Sequence, residues 1–210
     1  MAGIQDHLNA LFDAERALRG AEAALLQNQP AELSAVLSAA VKEAKELSDK
    51  DESRLRLERL ADLCAQVPGP EMTDALIAIL DDPHNGVRVQ AAEALVDVGY
   101  ERYAEVARGV ERALGQQLHF ALQELPWVLV ELDEPSARKL IARFLDNHDA
   151  EIVASAVEAL AELGDPAAIK DLKKLVGDAR EVDIDGEEGE ETVTVGDLAS
   201  EAIDALGGDK

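Results

Sequence analysis

Apolar residues along most of this chain recur every three to four positions, the spacing that lays one face of an α-helix against a core. Two stretches carry the pattern most clearly: ALIAILDDPHNGVRVQAAEALVDVG, from Ala75 to Gly99, and LIARFLDNHDAEIVASAVEALAELG, from Leu140 to Gly164. Each predicts a helix, a short polar turn and a second helix. Asp81, Asp82 and Pro83 close the first helix, because proline cannot continue it. Gly99 and Gly164 stand where a helix-ending glycine belongs. Asp165-Pro166 then opens the next helix, with Asp as cap and Pro at the first helical position.

The two stretches align through their EAL triplets at an offset of 65 residues, about two repeat lengths. A third copy lies between them in weaker form. Val110, Leu114, Ala121 and Leu132 sit 31 residues before Ile141, Leu145, Ile152 and Leu163. Leu172 and Val176 sit 31 residues after Ile141 and Leu145, but the second helix of that copy, VGDLASEAIDALG, arrives 43 residues after its counterpart. The 12 extra residues are an insertion. Within it Val182 and Ile184 alternate with acids and Val193 and Val195 with Thr, while Gly186 and Gly189 bracket a turn; that predicts a β-hairpin covering the last helix pair like a flap. Upstream, AELSAVLSAAVKEAKEL and ESRLRLERLADLCAQV form a degenerate first pair. The first 27 residues predict one more helix, with Ile4, Leu11, Leu18 and Leu25 spaced every seven residues and Leu8 and Phe12 beside them. Two roles are open to it: a cap over the end of the array, or a dimerising helix with a heptad seam.

The repeated units resemble HEAT repeats, of the short kind also found in phycobilin-lyase-like proteins. The residues that carry the likeness are LDDP (Leu80–Pro83), the V-R-x-x-A-A-E-A-L run beginning at Val87, and LGDP (Leu163–Pro166). The likeness is strong over Met72–Gly207 and poor over Met1–Pro70. It implies an all-α fold: a right-handed α-solenoid of about five helical hairpins, with an N-terminal cap helix and a small β-hairpin inserted in the last repeat. Residues 1–70 would hold the cap helix and the degenerate first hairpin. Residues 71–210 would hold the clear repeats, with the acidic insertion at 178–195, all in one continuous domain.

Composition narrows the function. Apolar residues make up 47% of the 210, but aromatics only 3%, so Ala, Leu and Val must build the interior. Acidic residues number 44 against 20 basic ones, a formal net charge of -24. Nucleic-acid binding leaves a basic footprint, and no Lys/Arg run supplies one here. Anionic membrane surfaces are disfavoured on the same ground. The expected partner is another protein, with a basic surface favoured. The single cysteine, Cys64, excludes an internal disulfide and a zinc pattern, and sits on an apolar stripe with Leu60 and Val67. The N-terminus has neither a basic n-region nor a long apolar stretch, which leaves a cytoplasmic setting as the expectation.

Catalytic readings find little support. The resemblance raises deoxyhypusine hydroxylase, a HEAT-like enzyme that holds iron through His-Glu pairs placed just before A-A-E-A-L. Val89-Gln90 and Ala154-Ser155 occupy those places here, and no His-Glu dipeptide occurs in the chain. His84 and His148 lie in turns two repeats apart, roughly 20 Å at the spacing of packed helices, too far to share an ion. DIDGEEGEE offers Asp183, Asp185, Glu187, Glu188, Glu190 and Glu191. Counted as an EF-hand from Asp183, however, it puts Glu188 and Thr194 where Gly and Glu are required. A DNA glycosylase of HEAT-like type would need a basic face. No metal and no cofactor are therefore expected, and no enzymatic activity. A HEAT-like enzyme or a phycobilin-lyase-type chaperone is the alternative, on resemblance alone.

The expected function is a non-catalytic adaptor or scaffold that binds a partner through its concave face, lined by the second helix of each pair. Aligned outward positions there are Glu93, Trp127 and Glu158; Val96, Val130 and Ala161; and Asp97, Glu131 and Glu162. Gln123 and Glu124 match Val89 and Gln90. The predicted binding residues are Trp127, Val130, Gln123, Glu124, Glu131, Glu93 and Glu158, an acidic surface with a small apolar centre. The middle repeat, LHFALQELPWVLVELDEP, has lost A-A-E-A-L and gained Phe120, Pro126 and Trp127. Proline inside a helix removes a hydrogen bond and kinks it. Two placements of Trp127 follow: on the groove as an anchor, or rotated into the core at the kink.

Overall fold

The computed structural model describes residues 3–186 and 189–208. Glu187 and Glu188, part of the acidic run weighed above as a calcium loop, lie outside the described residues. The helices are α1 (Ile4–Leu26), α2 (Pro30–Glu46), α3 (Lys50–Ala65), α4 (Pro70–Leu80), α5 (Asn85–Ala113), α6 (Phe120–Leu132), α7 (Ala137–Ile141), α8 (Ala150–Leu163), α9 (Ile169–Leu172) and α10 (Val195–Ala205). A 3-10 turn, Ala142–Asp146, prolongs α7, and another, Pro166–Ala168, precedes α9. Strands β1 (Glu181–Gly186) and β2 (Gly189–Thr194) form an antiparallel hairpin between α9 and α10. The fold is mostly helical and consistent with a helical repeat array, and the expected all-α chain carries one small sheet.

Successive elements pair as α2/α3, α4 with the first part of α5, the rest of α5 with α6, α7/α8 and α9/α10. The second helices then pack side by side, α5 on α6, α6 on α8 and α8 on α10. One continuous core runs from Leu33 to Ile203 and is built almost wholly of Leu, Ile, Val and Ala. Because folded chains bury small and branched side chains at near-crystalline density, neighbouring helices approach closely where Ala faces Ala.

Two of the predicted helix ends behave differently. Gly164 does end α8, in the left-handed conformation at φ +70°. Gly99 does not end a helix. It is buried inside α5, which continues to Ala113. A Cβ at Gly99 would lie 2.4 Å from Leu132 Cδ1, so glycine here admits the neighbouring α6. The break between repeats comes at Arg102 instead, the one non-helical residue inside α5, at φ -138° and ψ 46°. Pro126, where the sequence suggests a kink, lies inside α6, which continues through it to Leu132.

α1 buries none of its residues. Leu18, Glu22 and Leu26 are half-buried near the α2/α3 pair, where Arg59 binds Glu22 at 2.9 Å, while Ile4, Leu8, Leu11 and Phe12 are exposed. Cys64 is fully buried, and loss of solvent around the thiol raises its pKa to about 12. It is a core residue without nucleophilic character.

A candidate binding groove around Trp127

α6 is held from both neighbours. Its first turn is capped across the array: Asp81 Oδ1, at the end of α4, accepts from the His119 and Ala121 amides at 2.9 and 3.2 Å. From α5, Arg88 donates to Glu124 Oε1 at 2.9 Å and stacks over the Phe120 ring at 5.0 Å. From α8, Ser155 Oγ donates to the Gln123 carbonyl at 2.5 Å. A helix fixed on two sides has little freedom to rotate, and Trp127 is set outward, 39% exposed. The indole is therefore not rotated into the core.

Trp127 lines three adjoining hollows. The first, about 290 Å³, lies over α6, α8 and β1, between Gln123, Glu124, Glu151, Ser155, Glu158 and Val182–Ile184. The second, about 470 Å³, lies over α5 and α6, between Glu93, Val96, Asp97, Glu124 and Glu131. The third, about 500 Å³, lies over α8 and α10, between Val157, Glu158, Ala161, Glu162, Leu198 and Glu201. Carboxylates line all three, and among the described residues no Lys or Arg lines any of them. The apolar floor of the second and third hollows is lined by Val96, Val128, Val157 and Ala161.

The sequence-predicted residues Trp127, Gln123, Glu124, Glu131, Glu93 and Glu158 are all brought onto this surface. Val130 is not. It is half-buried, packs against the core and lines none of the hollows. A helix turns by about 100° per residue, so Val130 lies some 60° to one side of Trp127 while Glu124 and Glu131 lie to the other. Val128 takes its place in the apolar floor.

The β-hairpin, expected over the last helix pair, contacts α10 through β2 and α8 through β1. Arg180 anchors it by donating to the Asn147 and His148 carbonyls at 3.0 and 3.1 Å, in the turn before α8. Arg180 also grips Asp178 with bonds of 2.6 to 3.0 Å, holding that carboxyl below its usual range. At the base, Gly196 donates to the Asp178 carbonyl at 2.9 Å. A Cβ there would lie 2.8 Å from the Val176 oxygen, so a side chain is excluded by backbone. These ties lay β1 along α8, with Val182 buried, and add a wall that the repeat register alone does not contain. The alternation of Val182 and Ile184 with acids signalled strand; nothing in it signalled where the strand docks.

Glu158 stands at the junction of the first and third hollows. Its pKa is raised, first by the desolvation its neighbours impose and then by the charge of Glu201. The folded state therefore holds this proton more tightly than the unfolded chain does. The resulting penalty is absent below the unfolded pKa, grows as pH rises through the carboxylate range, and is complete above the folded pKa. Glu158→Gln is expected to raise the melting temperature slightly at pH 7 and leave it unchanged at pH 3; thermal melts at the two pH values check this, and a drop at pH 7 would refute it.

Among the described residues, His119, Asp149 and Glu151 gather three metal-competent side chains. They sit on opposite sides of the imidazole, with Asp149 3.2 Å from Nδ1 and Glu151 3.6 Å from Nε2. Asp149 is also committed to capping α8, where its Oδ1 accepts the Glu151 amide at 3.0 Å. The group reads as a tie between the first turns of α6 and α8.

Residues 119–185, from the first turn of α6 into β1, match the family described as HEAT repeats. Over these residues the chain is similar to HEAT repeats. HEAT repeats generally mediate protein–protein interaction and are typically non-catalytic. The matched HEAT segment holds Trp127, Glu158 and the inner wall of the groove. Among solved structures, the chain is similar to the crystal structure of an engineered protein, at 17% identity over 85% of each chain with a TM-score of 0.37. No curated protein matches the chain. Among the described residues no helix is long and apolar enough to cross a membrane.

Proposed function

We propose that this protein is a non-catalytic adaptor or scaffold whose acidic groove around Trp127 docks a basic segment of another protein. The observation that carries the reading is the lining itself: three hollows meet at one half-exposed tryptophan, with carboxylates throughout and no cation among the described residues that line them. Exposed tryptophan anchors are enriched at interface hot spots, and complementary charge around such an anchor sets partner choice and speeds encounter. In this reading the array is one continuous right-handed solenoid through residues 71–210, residues 1–70 form its N-terminal end, and the second helices line the concave side.

The test is a titration of a nona-arginine peptide, followed by the fluorescence of Trp127, the only tryptophan. A chain of charge -24 attracts any polycation, so the control matters. The Glu93→Lys/Glu158→Lys double variant is expected to weaken binding about tenfold or more, the scale of losing close charge pairs at an interface. Glu46→Lys/Glu101→Lys, which alters two exposed acids outside the hollows, should leave affinity within about twofold once salt screens long-range attraction at 0.15 M. Equal losses in the two double variants would overturn the groove as the docking site.

A further inference from the structure

The hairpin that walls the groove has an unused edge. β1 and β2 pair in the register Val182↔Val193 and Ile184↔Glu191. The phase of the ladder is fixed at its base, where the Val195 amide donates to the Arg180 carbonyl at 2.9 Å. Hydrogen-bonded pairs alternate along an antiparallel ladder, so Val182 and Ile184 spend their backbone groups on β2. Glu181 and Asp183 turn their N–H and C=O groups the other way, and among the described residues nothing pairs with them. That strand adjoins the groove: among the described side chains, the hollow beside Trp127 is lined by Val182, Asp183 and Ile184 of β1 and by none of β2. Burial of Val182 on α8 holds the strand in place, so the edge is presented on a fixed support.

We propose that β1 accepts an extended, basic segment of the partner as a third strand, laid between the hairpin edge and Trp127. This rests on the docking groove proposed above and specifies the conformation of what it binds. Free strand edges are ordinarily blunted by charged side chains, above all lysine, by proline or by a bulge. The described side chains of β1, Glu181 to Ile184, include no lysine and no proline, and their charges are acidic, so they oppose every strand except a cationic one. They are acidic on one face and apolar on the other. A second copy of this chain would bring its own acids against Glu181 and Asp183, and like charges opposed across strands repel. A strand bearing Arg or Lys meets the opposite field, from Glu151, Glu158 and Asp183. Its side chains alternate between two faces, so one set reaches the apolar floor and the indole while the other stays in solvent. Backbone bonds to Glu181 and Asp183 supply affinity, as in other cases of strand addition.

The probe is a capped octapeptide of alternating arginine and valine, titrated into the full chain by Trp127 fluorescence. Asp183→Ala removes the charge and keeps the amide. Asp183→Pro removes both, and leaves the bonds to β2 intact because the Asp183 amide points away from β2. Proline is tolerated at such edge positions. Asp183→Pro is expected to bind at least tenfold more weakly than Asp183→Ala. With the unaltered protein, the fully N-methylated octapeptide, which keeps every charge and side chain, should lose binding to the same degree. Amide exchange at Glu181 and Asp183 should slow when the unmethylated peptide is added. If the peptide binds but Asp183→Pro matches Asp183→Ala, the methylated peptide binds equally well and exchange is unchanged, strand addition is overturned while the groove stands. If neither this octapeptide nor nona-arginine binds, the groove reading itself falls.

Discussion

Replacing Phe144 with alanine is expected to lower the stability of the fold by about 3–5 kcal/mol. Phe144 is among the largest wholly buried side chains and lies in the 3-10 turn that joins α7 to α8. The surrounding core is made of Leu, Ile, Val and Ala held on helices, and such walls relax only partly into a cavity, so the loss combines transfer energy with the empty space left behind. Aromatics are 3% of the chain, which leaves few large side chains to swing into the gap. In a repeat array each unit is stabilised chiefly by its neighbours. The damage should therefore concentrate on α8 and α10 and on the groove wall they support. Denaturant unfolding monitored by circular dichroism measures the loss, and a change below about 1 kcal/mol would mean that the joint collapses around the missing ring.

The Trp127→Ala change should act mainly on binding. Docking of a basic ligand is expected to weaken by about 2 kcal/mol or more, roughly thirtyfold, the scale of an interface hot spot. The indole is 39% exposed, its neighbours in the hollows are carboxylates and small apolar side chains, and a cation approaching its face gains a cation–π contact as well as charge pairing. The residue is partly buried, so some stability is lost too, but less than the several kcal/mol of a fully buried aromatic. In the unaltered protein the same geometry predicts red-shifted emission, readily quenched by neutral acrylamide and by caesium. Iodide, repelled by Glu93, Glu131 and Glu158, should quench poorly. Emission that is blue-shifted and protected from acrylamide would place the ring in the core and remove the anchor.

Much of this molecule is determined locally. The helical spacing of Leu, Val and Ala, the Asp81-Asp82-Pro83 stop, the left-handed Gly164 and the Asp165-Pro166 start are properties of a few adjacent residues, and each formed as local chemistry requires. The offset between EAL triplets carried the pairing of helices, and through it the shared surface of Glu93, Trp127 and Glu158. What failed to be legible depended on residues distant in the chain. Gly99 looked like Gly164 in sequence, yet it serves close packing against Leu132 on another helix. Pro126 suggests a break in α6, but the helix runs through it, tied to neighbouring units by Arg88, Asp81 and Ser155, with Trp127 left partly exposed. The β-hairpin was visible as alternation, while its place on the groove came from Arg180 meeting carbonyls of the turn before α8. Periodicity specifies which face of an element is apolar. Only the tertiary structure decides which neighbour covers that face and which edge it leaves free, because those contacts join residues about 30 positions apart whose chemistry is unremarkable until they touch.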